Sequence, residues 1–142
     1  MPSPEPNPQG ALAGIKVVDL TRILAGPLCA QMLGDMGAEV IKVEPPGVGD
    51  DTRSWGPPFA GGESAYFLGI NRNKRSITLN MAAKTGQEIL ARLIKQCDVL
   101  VENFKAGTLE KWGFNNAWLE ENAPRVIRCS ITGYGTDGPK GG

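Results

Sequence analysis

The 142-residue sequence contains no histidine. That absence excludes any Ser-His or Cys-His nucleophile pair and any histidine-ligated metal site within this chain. An excess of one charge is absent too. Fifteen Lys+Arg balance fifteen Asp+Glu, which argues against a nucleic acid or an anionic membrane held by bulk electrostatics. No apolar run approaches membrane-spanning length, and the first basic residue is Lys16. Neither a membrane segment nor a signal or transit peptide is therefore expected, and the expected location is cytoplasmic. Cysteine is scarce: Cys29, Cys97 and Cys129 stand in apolar surroundings without CxxC spacing. That is the pattern of small hydrophobes in a reducing compartment, and no metal is expected.

What the sequence has in excess is 19 Gly and 11 Pro. They concentrate in three places. Residues 1–11 read as an extended, mobile Pro-rich leader. Residues 45–62 read as a long Pro/Gly loop, and the last ten residues carry no periodic pattern. Between these lie short β-branched runs alternating with helical patterns. IKVVDL (15–20), EVIKVE (39–44), SITLNM (76–81), DVLVE (98–102) and VIRCSIT (126–132) read as strands. A helix is expected from about Pro27, and a second behind a capping box formed by Thr85 and Glu88, with an apolar stripe of Ile89, Leu90, Leu93, Ile94 and Cys97. GTLEKWG and NNAWLEENAP read as two short helices.

Strand-helix alternation of this kind predicts an α/β fold, a doubly wound, mostly parallel sheet with strand order 3-2-1-4-5. DVLVE, apolar on both faces, belongs at the centre. SITLNM, alternating apolar and polar, suits an edge. Ligands in such sheets bind beyond the carboxyl ends of the strands, near the first and fourth. The first-strand loop holds Ala25-Gly26-Pro27 where a dinucleotide fingerprint would need GxGxxG, so an NAD site is disfavoured. The fourth-strand loop places Lys105, Gly107 and Thr108 at a helix start, where free N–H groups favour an anion. Arg72, Lys74 and Arg75 form the densest positive cluster, able to hold a phosphate or simply to be solvated.

The combination is more specific than its parts. LAGIKVVDLTRILAGPLCAQMLGDMGAEVIKVEPPGVGDDTRSWGPP, NRNKRSITLNM, DVLVENFKAGTLEKWGF and PRVIRCSITGYGTDGP, in that order and spacing, resemble the family III (formyl-CoA transferase-like, CaiB/BaiF) CoA-transferases. The resemblance runs from Leu12 to Pro139. It implies that residues 12–142 are the N-terminal part of a Rossmann-like coenzyme A-binding domain, with an incomplete sheet. The rest of that domain and a second one would lie outside this chain, in a larger, interlocked homodimer. By resemblance, the coenzyme A contacts fall at Ile23 and Leu24, at Leu79, Asn80, Met81 and Ala82, and at Asn103, Phe104 and Lys105. Lys111 matches a basic position near the phosphates. Relatives often carry lysine where this chain has Ala82, proline at Lys84, and in some cases arginine at Pro45. Ala82 is accordingly expected to act through its backbone alone.

The family reaction moves coenzyme A from an acyl-CoA thioester to a carboxylic acid. An aspartate carboxylate attacks the thioester to give a mixed anhydride and then an aspartyl-CoA thioester, chemistry that needs no histidine and no metal. The resemblance puts that aspartate beyond Gly142, so no residue of this chain is expected to be catalytic and the chain alone is expected to be inactive. Two alternatives share the same residues. One is a non-catalytic CoA- or nucleotide-binding module. The other is part of an α-methylacyl-CoA racemase-like enzyme of the same superfamily.

Overall fold

The computed structural model describes residues 10–140. The element order is β1 (Lys16–Asp19), α1 (Ala25–Asp35), β2 (Glu39–Glu44), a 3-10 turn (Asp51–Ser54), β3 (Phe59–Ala60), β4 (Glu63–Ser64), α2 (Ala65–Asn71), β5 (Lys74–Thr78), α3 (Lys84–Ile94), β6 (Val99–Glu102), α4 (Thr108–Lys111), α5 (Asn116–Asn122) and β7 (Ile127–Ser130). Five strands form one all-parallel sheet in the order β5-β2-β1-β6-β7, and β3 and β4 make a small antiparallel hairpin. This is the expected 3-2-1-4-5 arrangement, with DVLVE inside the sheet as β6.

The apolar β-branched runs put side chains on both faces, and each face has its own core. Val17, Val40 and Val101 pack with Ala30 and Ala38 beneath α1. Val18, Leu20, Val43 and Leu100 pack with Leu90 and Ile94 of α3, Leu109 of α4 and Leu119 of α5 on the other face. Leu20, Leu90, Ile94 and Leu100 are fully buried, each stabilising the fold by roughly 1.5–3 kcal/mol.

Several sequence expectations are corrected. The edge strand pairs from Lys74 to Thr78, two to three residues earlier than SITLNM, because its register is set by β2, with Val40 opposite Lys74 and Glu44 opposite Thr78. The side-chain alternation nevertheless continues beyond the pairing, so Leu79 and Met81 point inward and Asn80 outward. The capping box does not form. Helix α3 starts at Lys84 with Ala83 as its N-cap and no side-chain cap. The Gln87 amide instead donates to the Met81 carbonyl at 3.2 Å. Of the expected apolar stripe, Leu90, Ile94 and Cys97 are buried and Ile89 is exposed. Residues 45–62 hold the 3-10 turn and the first strand of the hairpin, and α2 was not anticipated. The leader lies mostly outside the described residues. Within them, Leu12 already donates its N–H to the Met36 carbonyl at 2.9 Å. Among the described residues no helix is long and apolar enough to cross a membrane.

Candidate functional site

The loop that follows β1 is held at each of its N–H groups from Leu20 to Ile23 and at the carbonyls of Thr21 and Arg22. Leu20 N–H donates to the Val101 carbonyl at 2.9 Å. Thr21 N–H donates to Asp19 Oδ1 at 2.9 Å, and the Thr21 carbonyl accepts from Lys42 Nζ at 2.8 Å. Arg22 is clamped by one side chain from the β6 loop. Asn103 Oδ1 accepts its N–H at 3.0 Å and Asn103 Nδ2 donates to its carbonyl at 2.8 Å. Ile23 N–H faces both oxygens of Asp50 at 3.3 Å. Ile23 itself has φ 73°, in the left-handed region that β-branched residues rarely adopt. Its side chain and that of Leu24 are exposed.

Helix α1 can start immediately behind this loop because residue 26 is glycine. A Cβ there would lie 2.3 Å from the Thr21 side chain. Gly86 plays the same part in the loop after β5, where a Cβ would lie 1.9 Å from the Asn80 carbonyl. In that second loop Leu79 and Met81 are buried in the core, and their N–H groups donate to the Glu44 and Leu79 carbonyls. Asn80 and Ala82 are exposed, with Asn80 Oδ1 accepting the Ala82 N–H at 3.1 Å.

The β6 loop opens into two clefts at the carboxyl ends of β6 and β7. The larger, about 280 Å³, is lined by Asn103, Phe104, Lys105, Thr132, Tyr134 and Lys140 among others. The smaller, about 160 Å³, includes Lys105, Thr108, Glu110, Arg128 and Ser130. Phe104 is set by its N–H, which donates to Glu102 Oε2 at 3.0 Å, and by edge-on packing against Trp112 at 5.3 Å. Arg22 sits 5.9 Å from the same ring. Lys111 is exposed at the end of α4, a helix with Gly107 in the left-handed conformation as its N-cap.

Among the ten positions expected at the site, the structure brings Ile23, Leu24, Asn103, Phe104 and Lys105 to one end of the sheet, joined by the Asn103–Arg22 clamp. Residues 79–82 stand at the same end but across β1 and β2 from the clefts, linked to α4 through the shared core. The positive cluster of Arg72, Lys74 and Arg75 is paired with acids of the same chain. Arg72 pairs with Asp35, Arg75 with Glu39, and Lys74 is buried against Asp19 at 2.9 Å. Strand pairing with β2 draws these cations onto acids of neighbouring elements, and burial pushes the Lys74 ammonium below its ordinary value.

Sequence reasoning missed a buried charged framework beneath these loops. Lys42 and Asp50 pair at 2.9 Å, and Arg53 grips Glu44 through two bonds of 2.7 and 2.8 Å. Burial alone would raise the Glu44 carboxyl. Hydrogen bonds from Arg53, Ser76 and the Asp50 N–H outweigh it and hold the group at about 2. The only signal in the sequence was a lysine amid the apolar run EVIKVE, upstream of the acidic pair Asp50-Asp51. Asp19 and Glu44 are thus engaged as structural anions. Among the described residues no group of three or more potential ligands could hold a metal.

A family model described as CoA-transferase family III matches residues 12–142. The chain is 53% identical over 138 residues to the succinyl-CoA:glutarate CoA-transferase of Homo sapiens, covering 97% of this chain and 32% of that protein. It is 47% identical over 125 residues to the formyl-CoA:oxalate CoA-transferase of Bradyrhizobium diazoefficiens, covering 88% of this chain and 29% of that one. The crystal structure of a CAIB/BAIF family protein from Brucella suis superposes with a TM-score of 0.87 at 50% identity, over 94% of this chain and 37% of the other. The chain therefore spans about a third of the length of these relatives.

Proposed function

The chain belongs to CoA-transferase family III, and from that premise we propose that it supplies the coenzyme A-binding portion of an enzyme that moves coenzyme A from an acyl-CoA thioester to a carboxylic acid. The observation that carries this reading is the clamped junction at the carboxyl ends of β1 and β6. There the exposed Ile23–Leu24 loop is tied by Asn103 to the loop carrying Phe104 and Lys105. Rigid backbone with exposed apolar side chains suits a pantetheine arm. Lys105 and Lys111, exposed nearby, suit phosphates. Asn80 and Ala82 would contribute from the β5 loop, and Leu79 and Met81 only through their backbone.

Both relatives described above are named for dicarboxylic acids, glutarate and oxalate. A dicarboxylic acid is accordingly the proposed acceptor. The whole protein is proposed to be a homodimer. Three cysteines left as thiols accord with a reducing, cytoplasmic setting. Asp19 and Glu44 are committed to ion pairs and are not assigned as the nucleophile.

Titration calorimetry of this chain with coenzyme A and with NADH tests the reading. Saturable binding of coenzyme A, with weaker or no binding of NADH, is expected. Preference for NADH would overturn it.

A further inference from the structure

Ile23 presents a problem that its own neighbourhood in sequence does not solve. A β-branched residue in the left-handed region is strained, because its Cβ crowds the backbone carbonyl. Its side chain is 40% exposed, so burial does not compensate for that conformation. The compensating group comes from 27 residues downstream. Asp50 is 1% exposed and turns both carboxylate oxygens toward the Ile23 N–H.

Asp50 is itself fixed from every side. Its own N–H donates to Glu44 Oε2 at 2.8 Å, and its Oδ1 accepts from Thr52 N–H at 3.0 Å and Thr52 Oγ1 at 2.8 Å. Lys42 Nζ balances its charge at 2.9 Å and reaches the Thr21 carbonyl at 2.8 Å. The pair therefore grips the β1 loop on either side of Arg22, Thr21 from one partner and Ile23 from the other. A buried ion pair is weak support for stability in itself. Oriented donors and acceptors on one loop are what this pair supplies that an apolar pair would not.

We propose that Asp50, charge-balanced by Lys42, is a positioning residue that holds Ile23 in the left-handed conformation in which the β1 loop receives coenzyme A. The ligand in this statement rests on the function proposed above. The Asp50–Ile23 coupling stands on the geometry alone. It also gives the Asp50-Asp51-Thr52-Arg53 stretch, otherwise remote from the clefts, a place in binding.

Two double variants isolate the effect, because neither leaves a buried charge unpaired. Asp50→Asn with Lys42→Met keeps an oxygen facing Ile23, whereas Asp50→Ala with Lys42→Met removes it. Both variants lose the Lys42–Thr21 bond alike, so in titrations with coenzyme A they are compared with each other, and the second should bind about tenfold or more weaker than the first, the loss of one buried acceptor. Adding Ile23→Gly, which accepts positive φ freely, should bring the two double variants to equal affinity. Independently of ligand, the intraresidue amide-to-Hα nuclear Overhauser effect of Ile23, strong at positive φ, should weaken only in the variant lacking the acceptor. Should that variant fail to unfold cooperatively, Asp50→Ser with Lys42→Met replaces it, since the shorter hydroxyl can cap the 3-10 turn without reaching Ile23. Equal affinities of the two double variants without Ile23→Gly, or an unchanged Ile23 signal, would overturn the proposal. An unaltered chain that binds no coenzyme A overturns the functional reading and the ligand half of this one, while the Ile23 signal still decides the coupling.

Discussion

Gly86 carries more of the candidate site than its lack of a side chain suggests. The first turn of α3 lies directly on the carbonyl of Asn80, with no room for a methyl group. Gly86→Ala should destabilise the fold by about 1–3 kcal/mol through backbone displacement. The amide resonances of Asn80, Met81 and Ala82 should move more than those of α5, which thermal unfolding and a proton–nitrogen correlation spectrum would check. Glu44 yields a prediction in pH. Its folded value is depressed from 4.5 to about 2, so its contribution to stability is complete above about 4.5. It is lost as pH falls from there toward 2. Glu44→Gln should lower stability at pH 7 and flatten the decline between pH 5 and 2. A decline as steep as in the unaltered chain, followed by urea unfolding at each pH, would show that other carboxylates dominate acid unfolding.

At the level of elements, the candidate site is a junction between two loops rather than a pocket within one. Asn103 joins the β1 loop to the β6 loop by two hydrogen bonds to Arg22, and both partners lie toward the solvent side. Asn103→Ala should therefore cost less than about 1 kcal/mol of stability, because water can replace the amide. The same change should weaken coenzyme A binding about tenfold, since the two loops would no longer be held in register. A melting temperature that drops as sharply as the affinity would mark Asn103 as a fold residue instead. The element boundaries also show where sequence patterns mislead. The Thr85–Glu88 spacing has the form of a capping box, yet α3 begins one residue before Thr85 and is capped by neither. Within that first turn Gly86 packs on the Asn80 carbonyl, an approach that a side chain at residue 86 would block. The alternation in SITLNM identified the inward residues correctly but not the paired ones, because pairing depends on the partner strand, which alternation does not encode.

For the whole molecule, ligand binding is expected to weaken with ionic strength despite zero net charge. Lys105 and Lys111 are exposed beside the β6 loop, so their attraction for phosphates is screened by salt. Raising sodium chloride from about 50 to about 500 mM should reduce coenzyme A affinity several-fold, read by calorimetry, and Lys105→Ala should shrink that dependence. An affinity independent of salt would remove the lysines from the phosphate role. The sequence by itself determined the five strands of the main sheet, their parallel order, the interior place of β6 and the family. Hydrophobic periodicity and motif spacing are local and linear, and they survive without coordinates. Only the tertiary structure decided that Arg72, Lys74 and Arg75 pair with Asp35, Asp19 and Glu39. It also decided that Lys42 and Asp50 underlie the β1 loop. Those outcomes depend on which charges meet after strands separated by tens of residues are brought side by side, and no spacing along the chain specifies that meeting.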